Sequence, residues 1–258
     1  MPKVELEGEW VGNESLMRQL AAAWLVTGAG DRPMNPVIVG SPGCGKTSLV
    51  AAMAKELQQD LYIFQCTMDT RPEDLLITPV LTEDRSVRYQ ASSLVTAMIN
   101  GGICILDEGN RMRDKAWASL APLLDARRYV ESIVTGLRIH AHPEFRIAAT
   151  MNEDASVYNL PEYIKSRLRP RILVPEADHE TLRTIIATSL PFVEQKVLDA
   201  VLTFLKLAEN RQKAFSIRQA VQLTDLSHKI CSQAPDASVR DVVSESAMAI
   251  ADVSNIEE

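Results

Sequence analysis

The stretch PVIVGSPGCGKTSLVAAMAKELQQ, residues 36–59, indicates the fold class of this chain. A short apolar strand signal leads into a glycine-rich loop that satisfies G-x-x-x-x-G-K-[ST] from Gly40 to Thr47, and a helical pattern follows at once. In such a unit the glycines let backbone N–H groups face phosphate oxygens, and the helix presents its positive end to them. The sequence therefore predicts a nucleotide-phosphate loop in an α/β domain.

The loop residues have distinct expected contacts. Lys46 is expected to reach the β- and γ-phosphates of a nucleotide, and the Thr47 hydroxyl to bind Mg²⁺. The competing interpretation is a chance glycine turn beside a lysine. The residues of this stretch that we expect to contact the nucleotide are Gly40, Ser41, Pro42, Gly43, Cys44, Gly45, Lys46, Thr47 and Ser48.

A second apolar strand, Ile103 to Leu106, ends in the acids Asp107 and Glu108. We expect Asp107 near the magnesium shell, and Glu108 near the γ-phosphate, where a carboxylate can orient and deprotonate water. Two consecutive acids can also simply be solvated residues that mark the end of a strand. Their position downstream of a phosphate loop favours the catalytic interpretation.

The strand FRIAAT, residues 145–150, runs into Asn152. An amide at the end of a central strand can hydrogen-bond the attacking water or the γ-phosphate. Asn152 as an ordinary turn residue is the competing interpretation.

Strands alternate with helices up to Pro175, and the pattern is wholly helical from about Ala177 onward. This order predicts the α/β fold of P-loop nucleotidases, a mostly parallel sheet covered by helices on both faces, followed by a small all-α lid. We expect residues 1–175 to form the nucleotide-binding core and residues 176–258 the lid.

Local signals also predict single elements. Asn13 is a reasonable N-cap for the first helix, and a further helix is expected around Ala116 to Leu124. The alternation from Arg128 to His140 predicts a hairpin, whereas the stretch from Thr67 to Arg88 is only polar and proline-containing. In Val197 to Ala208 the apolar residues, Leu202 among them, form one helical stripe that predicts core packing.

Composition excludes several classes of protein. The net charge of −7 disfavours broad binding to nucleic acid or to membrane surfaces. The longest apolar run, Leu20 to Val26, is too short to span a membrane, and the first residues do not resemble a secretory signal, so we expect a cytoplasmic protein. Four dispersed cysteines with no C-x-x-C pair argue against a zinc site or a disulfide framework.

The order of motifs resembles that of AAA+ ATPases. Val11 and Gly12 look like the adenine-side segment, GSPGCGKT like Walker A, and ILDE like Walker B. Further along the chain, TMNED looks like sensor 1, LPEYIKSRLRPRILVP like the arginine-finger region, and FSIRQA like sensor 2. The details are most similar to the MoxR branch, which includes the CbbQ and NorQ type activators. The resemblance adds Val11 and Gly12 to the nucleotide contacts and assigns ATP and Mg²⁺ as cofactors.

Four cations, Lys165, Arg167, Arg169 and Arg171, lie within seven residues of the arginine-finger region. In AAA+ rings an arginine of one subunit stabilises charge that develops on the phosphate bound by its neighbour. The resemblance places Arg167 at the finger, but Leu168 stands where the family often has an aromatic residue, so Arg169 and Arg171 remain alternatives. The competing interpretation is a solvated basic rim. Arg218 matches sensor 2, although an arginine at a helix start is otherwise commonplace.

The resemblance implies a Mg²⁺-dependent ATPase that forms a homo-oligomeric ring, expected to be a hexamer, and that remodels or activates a protein client. MoxR-type ATPases are often paired with a von Willebrand factor A domain protein, so a separate adaptor or target is expected. Arg127, Arg128 and Tyr129, in the hairpin before sensor 1, are candidate substrate contacts. One alternative is a nucleic-acid motor or restriction-type subunit, and another is a non-enzymatic scaffold that is only locked by bound nucleotide. A small GTPase is disfavoured because the guanine-reading sequence N-K-x-D is absent.

Overall fold

A computed structural model describes residues 3–4, 10–153 and 160–251 of the chain. By Cα proximity these residues fall into two compact units. Of the described residues, the first unit contains 3–4, 13–40, 46–153 and 160–174. The second unit contains residues 10–12, the loop Ser41–Gly45 and residues 175–251. The assignment of residues 1–175 as a nucleotide-binding core and 176–258 as a lid stays a prediction.

The first unit is built on the alternation of strands and helices that the sequence predicts. Its strands are β1 Val37–Gly40, β2 Leu61–Gln65, β3 Ile77–Leu81, β4 Val87–Ala91, β5 Ile103–Asp107, β6 Tyr129–Ser132, β7 Leu137–His140, β8 Arg146–Asn152 and β9 Arg171–Leu173. Its helices are α1 Glu14–Trp24, α2 Lys46–Glu56, α3 Pro72–Leu75, α4 Ser93–Asn100, α5 Asp114–Leu120 and α6 Glu162–Lys165.

Five of these strands form one parallel sheet in the order β2-β5-β8-β1-β9. The apolar residues Ile103 to Leu106 of β5 are all 0% exposed, as expected of a central strand covered on both faces. The α/β fold class is therefore confirmed. The register pairs Gly40 with Asn152 and Gln65 with Asp107, which brings the carboxyl ends of four strands to one edge.

Helix starts follow local side-chain chemistry. Asn13, the expected N-cap of α1, accepts a hydrogen bond from the Ser15 backbone N–H at 2.8 Å. Ser92 caps α4 in the same way by accepting from the Val95 N–H. Each cap satisfies one of the N–H groups that a helix start leaves unpaired, worth about 1 kcal/mol.

Two antiparallel hairpins, β3–β4 and β6–β7, form separate two-stranded sheets. The β6–β7 hairpin is the one predicted over residues 128–140. The β3–β4 hairpin falls in the stretch that the sequence indicates only as polar and proline-containing. Pro79 lies in its first strand, and most of its side chains face solvent, so neither strand carries an alternating pattern. Helix α5 also begins before the predicted Ala116 and ends before Leu124.

The described residues of the second unit form four helices: α7 His179–Ser189, α8 Gln195–Asn210, α9 Ile217–Gln233 and α10 Val239–Ala251. The apolar stripe predicted in α8 is buried, with Val197, Val201 and Ala208 at 0% exposure. Leu202, also in the predicted stripe, is only partly buried. Within the described part of the chain, no helix is long and apolar enough to cross a membrane.

Candidate nucleotide-binding site

The predicted phosphate loop joins the last residue of β1, Gly40, to the first residue of α2, Lys46. Gly43 and Gly45 adopt φ angles of +78° and +95°, which side chains with a Cβ rarely adopt. The Lys46 side chain is buried, and its Nζ donates a hydrogen bond to the Gly40 carbonyl at 3.0 Å. The sequence folds locally as a tight glycine turn that ends at a helix N-terminus, the arrangement that binds phosphate.

Thr47 and Asp107 meet at the carboxyl edge of the sheet. The Thr47 Oγ1 donates a hydrogen bond to Asp107 Oδ1 at 3.1 Å, across 60 residues of sequence. A hydroxyl and a carboxylate oxygen so placed are the ligand types that Mg²⁺ takes from a protein, since it binds one or two such groups together with phosphate oxygens and water. The residues present therefore fit a magnesium ion.

Glu108 lies at the start of the turn after β5 with φ 55° and ψ 41°, a left-handed conformation that is costly for a residue with a side chain. Its carboxylate accepts a hydrogen bond from Gln65 Nε2 at 3.0 Å and lies 2.9 Å from the Arg111 Nε. Both partners donate, so they orient the carboxylate. No motif in the sequence pointed to Gln65 or Arg111.

Thr150 holds both acids in place. Its hydroxyl donates to Asp107 Oδ1 at 2.5 Å and accepts the Glu108 backbone N–H at 3.0 Å, while the residue is 1% exposed. The only sequence signal for Thr150 is a hydroxyl at the end of an otherwise apolar strand. Its role follows from the pairing of β5 with β8, which sequence pattern alone does not give.

Asn152 is the last residue of β8 rather than part of a turn. Its backbone carbonyl accepts a hydrogen bond from Asn110 Nδ2 at 3.0 Å, and its backbone pairs with Gly40 at the start of the phosphate loop. The pairing brings Asn152 to the edge of the sheet that also carries Asp107.

The acids also affect a neighbouring thiol. Burial, followed by the charges of Asp107 and Glu108, raises the pKa of Cys66 far above its ordinary value. Cys66 is therefore a neutral, inert core residue at any physiological pH. The four cysteines, Cys44, Cys66, Cys104 and Cys231, are all free thiols.

The three arginines of the predicted finger region differ in their surroundings. Arg167 is held within its own chain: Nη1 donates to the Tyr163 carbonyl at 2.5 Å, and Nε lies 3.6 Å from the Asp125 carboxylate. Arg171 forms an ion pair with Glu153 at 3.4 Å. The Arg169 side chain is exposed.

Asp125 forms an ion pair with Arg127, which lies just before the β6–β7 hairpin. Arg127 donates to both Asp125 carboxylate oxygens, which together with the Arg127 backbone N–H lowers the pKa of Asp125 to about 2. The Arg127 guanidinium also lies over the Tyr129 ring. Arg128 differs from the expected substrate contact, because it donates to the Phe145 carbonyl at 2.7 Å and burial lowers its pKa to about 10.

The second unit contains a cavity of about 650 Å³. Loop residues Ser41 to Cys44 form part of its lining, together with Asp178, Phe215 and Arg218 of the helical segment, all of which belong to this unit. Arg218, the predicted sensor 2, is the second residue of α9, whose first turn is fixed by a capping box between Ser216 and Gln219. A Cβ on Gly43 would lie 3.3 Å from the Arg218 Cβ, so the loop and the start of α9 are in direct contact.

Residues 10–12, which include the predicted adenine-side residues Val11 and Gly12, also belong to the second unit. They immediately precede Asn13, the cap of α1. The Gly12 Cα faces the indole ring of Trp10. Trp10 is a neighbour of the loop that the sequence analysis did not single out.

Comparison with protein families identifies the central part of the chain. Residues 35–172, more than half of the chain, match the AAA domain of the dynein-related subfamily. This range runs from the start of β1 to β9 and contains the phosphate loop, both acids and the arginine cluster.

Curated relatives also match part of the chain. The chain is 33% identical over 145 residues to the denitrification regulatory protein NirQ of Pseudomonas aeruginosa, and 33% identical over 157 residues to the protein NorQ of Paracoccus denitrificans. It is 34% identical over 116 residues to the protein CbbQ of Hydrogenophilus thermoluteolus. These matches cover 56%, 61% and 45% of this chain, and only 55%, 56% and 43% of the respective relatives.

Solved structures share the fold at low sequence identity. The Holliday junction branch migration motor RuvB of Thermotoga maritima superposes with a TM-score of 0.61 at 16% identity, over 95% of this chain and 71% of that one. NtrX of Brucella abortus in complex with ADP gives 0.60 at 17% identity, over 93% of this chain and 53% of that one. These structures show the fold, whereas the family match and the matches to NorQ and CbbQ confirm the resemblance drawn from the motifs: the chain belongs to the dynein-related subfamily of AAA domains, in its MoxR branch.

Proposed function

We propose that this chain binds ATP with Mg²⁺ and hydrolyses it to ADP and phosphate. The observation that carries the proposal is the cluster at the carboxyl edge of the sheet, where Thr47, Asp107 and Glu108 meet around the Thr150 hydroxyl. The family match and the ADP complex of the structurally similar NtrX support nucleotide binding.

Each residue of the cluster has a chemical role in this proposal. The backbone N–H groups of the phosphate loop and the Lys46 ammonium hold the triphosphate, and Thr47 with Asp107 would hold Mg²⁺. The ion, when bound, neutralises charge on the phosphate oxygens. Glu108 orients a water molecule and accepts its proton as the water oxygen bonds to the γ-phosphorus and the bond to the ADP oxygen breaks. Asn152 donates its amide to the water or to the γ-phosphate.

The chain is further proposed to act as a subunit of a homo-oligomeric ring, with six subunits. A trans-acting arginine from the cluster Arg167, Arg169 and Arg171 would complete the neighbour's site, and Arg218 would sense the γ-phosphate. The client is proposed to be a protein that the ring remodels or activates, with a von Willebrand factor A domain partner. The net charge of −7 favours a protein client over a nucleic acid.

The test is a substrate trap made by Glu108→Gln. The amide keeps the shape of the side chain but cannot accept the proton, so we expect turnover to fall by about 10²–10⁴-fold while ATP binding is retained. Lys46→Ala is the matched control, since it removes the phosphate-binding cation and should lose binding itself. Hydrolysis by the native chain should also stop when a chelator removes Mg²⁺.

The same trap identifies the partner. Proteins that co-purify with Glu108→Gln in ATP, but not in ADP and not with the Lys46→Ala control, are expected to include one specific client or adaptor. Nucleic acid in their place, with salt-sensitive stimulation of hydrolysis, would favour the motor alternative. A native chain that binds ATP without turnover would contradict the enzymatic proposal and favour the scaffold.

A further inference from the structure

Three arginines lie at the amino edge of the five-stranded sheet, the edge opposite Asp107. Arg146 is the first residue of β8, Arg32 lies shortly before β1, and Arg128 directly precedes β6. We call these three residues the amino-edge arginines. Strand β8 runs for about 20 Å between Arg146 and Asn152, so the amino-edge arginines are remote from the acids at the carboxyl edge.

The amino-edge arginines converge on neighbouring backbone carbonyls. Arg128 Nη2 and Arg146 Nη1 donate to the same oxygen atom, the Phe145 carbonyl, at 2.7 and 3.3 Å. Arg32 Nη1 donates to the carbonyl of Ala126, two residues before Arg128. The remaining hydrogen bonds of the Arg146 side chain also end on backbone carbonyls. All these acceptors are neutral, so they compensate none of the positive charge.

Nearby acids do not pair with this group. Within the described part of the chain, no carboxylate forms an ion pair with an amino-edge arginine. The carboxylate of Asp31, beside Arg32 in sequence, accepts hydrogen bonds from Thr27 and from the Arg32 backbone N–H. The charge of Glu144 raises the pKa of Arg146, but burial has the larger effect and lowers this pKa. The guanidinium groups therefore lack an anionic partner.

Arg128 has the least favourable surroundings of the three. Burial, followed by the charges of Arg146 and Arg32, lowers its pKa to about 10, so it still carries its charge at neutral pH. Its Nη1 is buried and has no hydrogen-bond partner among the described residues. Its backbone is left-handed, with φ 52°, a costly conformation that is typical of functional sites. An anion that accepted from Nη1 would recover part of these costs.

We propose that the amino-edge arginines bind a phosphate group, either free phosphate or a phosphate ester. Guanidinium groups match the geometry of phosphate oxygens, and arginine is the preferred residue for this contact. A doubly charged group with several acceptor oxygens compensates three guanidiniums better than a carboxylate with one charge and two oxygens. Arg128 Nη1 donates to the bound group, and the exposed Arg32 forms the entrance from solvent. The proposal does not depend on the proposed ATPase activity, since it involves none of the nucleotide-site residues.

The experiment measures binding of inorganic phosphate by calorimetry in phosphate-free buffer. Because the phosphate loop would also bind the probe, the titration is made on the native chain and on Lys46→Ala, which lacks the cation of the loop. Arg32→Gln and Arg128→Gln are then each combined with Lys46→Ala. Arg127→Gln in the same background is the matched control, because it removes an equal charge from an exposed residue that pairs with Asp125.

We expect Lys46→Ala to bind phosphate with a Kd of about 1 mM or tighter. Arg32→Gln and Arg128→Gln should each weaken this binding by at least about 10-fold, the effect of one lost hydrogen bond to a charged group. Arg127→Gln should change the Kd by less than about 3-fold, since exposed charges are screened.

Thermal unfolding gives a second measurement, in which Arg32→Gln alone is compared with the native chain. Without phosphate, Arg32→Gln should raise the melting temperature, because it removes a like charge beside Arg128. Phosphate should then raise the melting temperature of the native chain more than that of Arg32→Gln. O-phosphoserine is the second probe: binding as tight as that of phosphate assigns the site to phosphate esters, and exclusion assigns it to the free ion.

Four results would overturn the proposal. One is phosphate binding by the native chain but not by Lys46→Ala, which would make the loop the phosphate site. Another is an equal Kd in Arg32→Gln, Arg128→Gln and Arg127→Gln. A third is a melting temperature that Arg32→Gln lowers equally with and without phosphate, which would make Arg32 a structural residue. The fourth is acetate binding as tight as that of phosphate, which would assign the site to carboxylates. If the native chain binds no ADP while Lys46→Ala still binds phosphate through the arginines, only the proposed function fails.

Discussion

Replacing Thr150 with valine should remove the side-chain hydrogen bonds that link β8 to the two acids. Valine has nearly the shape of threonine, so packing around this 1% exposed position is preserved while the hydroxyl is removed. The hydroxyl makes two hydrogen bonds, one to the Asp107 carboxylate at 2.5 Å and one from the Glu108 N–H at 3.0 Å. Asp107 keeps its bond from Thr47, whereas the Glu108 N–H is left unpaired.

The expected cost follows from these two bonds. A hydrogen bond to a charged group contributes about 1.5–3 kcal/mol, and a buried donor left without a partner costs about 1–3 kcal/mol. Because such terms are not additive and valine is the more apolar side chain, we expect Thr150→Val to lower the free energy of unfolding by about 2–4 kcal/mol. Thr150→Ser keeps the hydroxyl and loses one methyl group, which should cost only about 0.5–1.5 kcal/mol.

The assay is urea unfolding followed by tryptophan emission. Trp24 and Trp117 both lie in the first unit, so the signal reports mainly on the unit that contains Thr150. ATP turnover measured in parallel should fall by at least about 10-fold in Thr150→Val, since Glu108 loses the contact that fixes its backbone. If Thr150→Val is as stable and as active as Thr150→Ser, the hydroxyl does not organise the site and this account of the acids is wrong.

Two further predictions concern the arginine cluster and its neighbours. ATP turnover per subunit should rise with protein concentration, and Arg167→Ala should lower this turnover by about 10³-fold or more at every concentration. Turnover that does not depend on concentration would contradict a trans-acting arginine finger. The same loss in Arg169→Ala or Arg171→Ala alone would assign the role to that residue. The pKa of Asp125 is lowered from 3.8 to about 2, chiefly by the hydrogen bonds from the Arg127 side chain, so the folded state prefers the ionised form. The free energy of unfolding of the native chain should exceed that of Asp125→Asn above about pH 5, and this difference should disappear as the pH falls from about 4 to 2. A difference that does not change over this pH range would refute the role assigned to Asp125.

The phosphate loop and the acids could be predicted from sequence because their signals are local. A glycine loop between a strand and a helix, and an apolar strand that stops at two carboxylates, both follow from residues adjacent in the chain. The parallel sheet then brings these strand ends to one edge without further information.

Thr150 and Gln65 could not be found in this way, because their roles depend on register. Gln65 reaches Glu108 since its strand pairs with β5 in a register that sets Gln65 opposite Asp107. Thr150 meets the two acids from the strand on the other side. Neither residue type nor spacing in the sequence encodes which strands become neighbours.

Arg128 shows that the charge of a side chain does not by itself predict whether it is exposed to solvent. An arginine before a hairpin is expected to face solvent, yet its guanidinium lies 5.3 Å from the centre of the Phe145 ring and donates to the Phe145 carbonyl. Arg127, its neighbour in sequence, is exposed and pairs with Asp125. The direction in which each side chain leaves the backbone decides the difference, and composition does not report it.

The β3–β4 hairpin joins the rest of its unit through a narrow base. The Ser92 N–H bonds to the Leu76 carbonyl where the two strands meet, and neither strand pairs with the five-stranded sheet. Beyond that base the strands expose apolar side chains such as Leu81 and Tyr89. Changes at exposed positions such as Leu81 and Tyr89 are therefore expected to leave the register on which Thr150, Gln65 and the acids depend unaltered. The exposed surface of this hairpin can thus be varied separately from the residues that form the phosphate site.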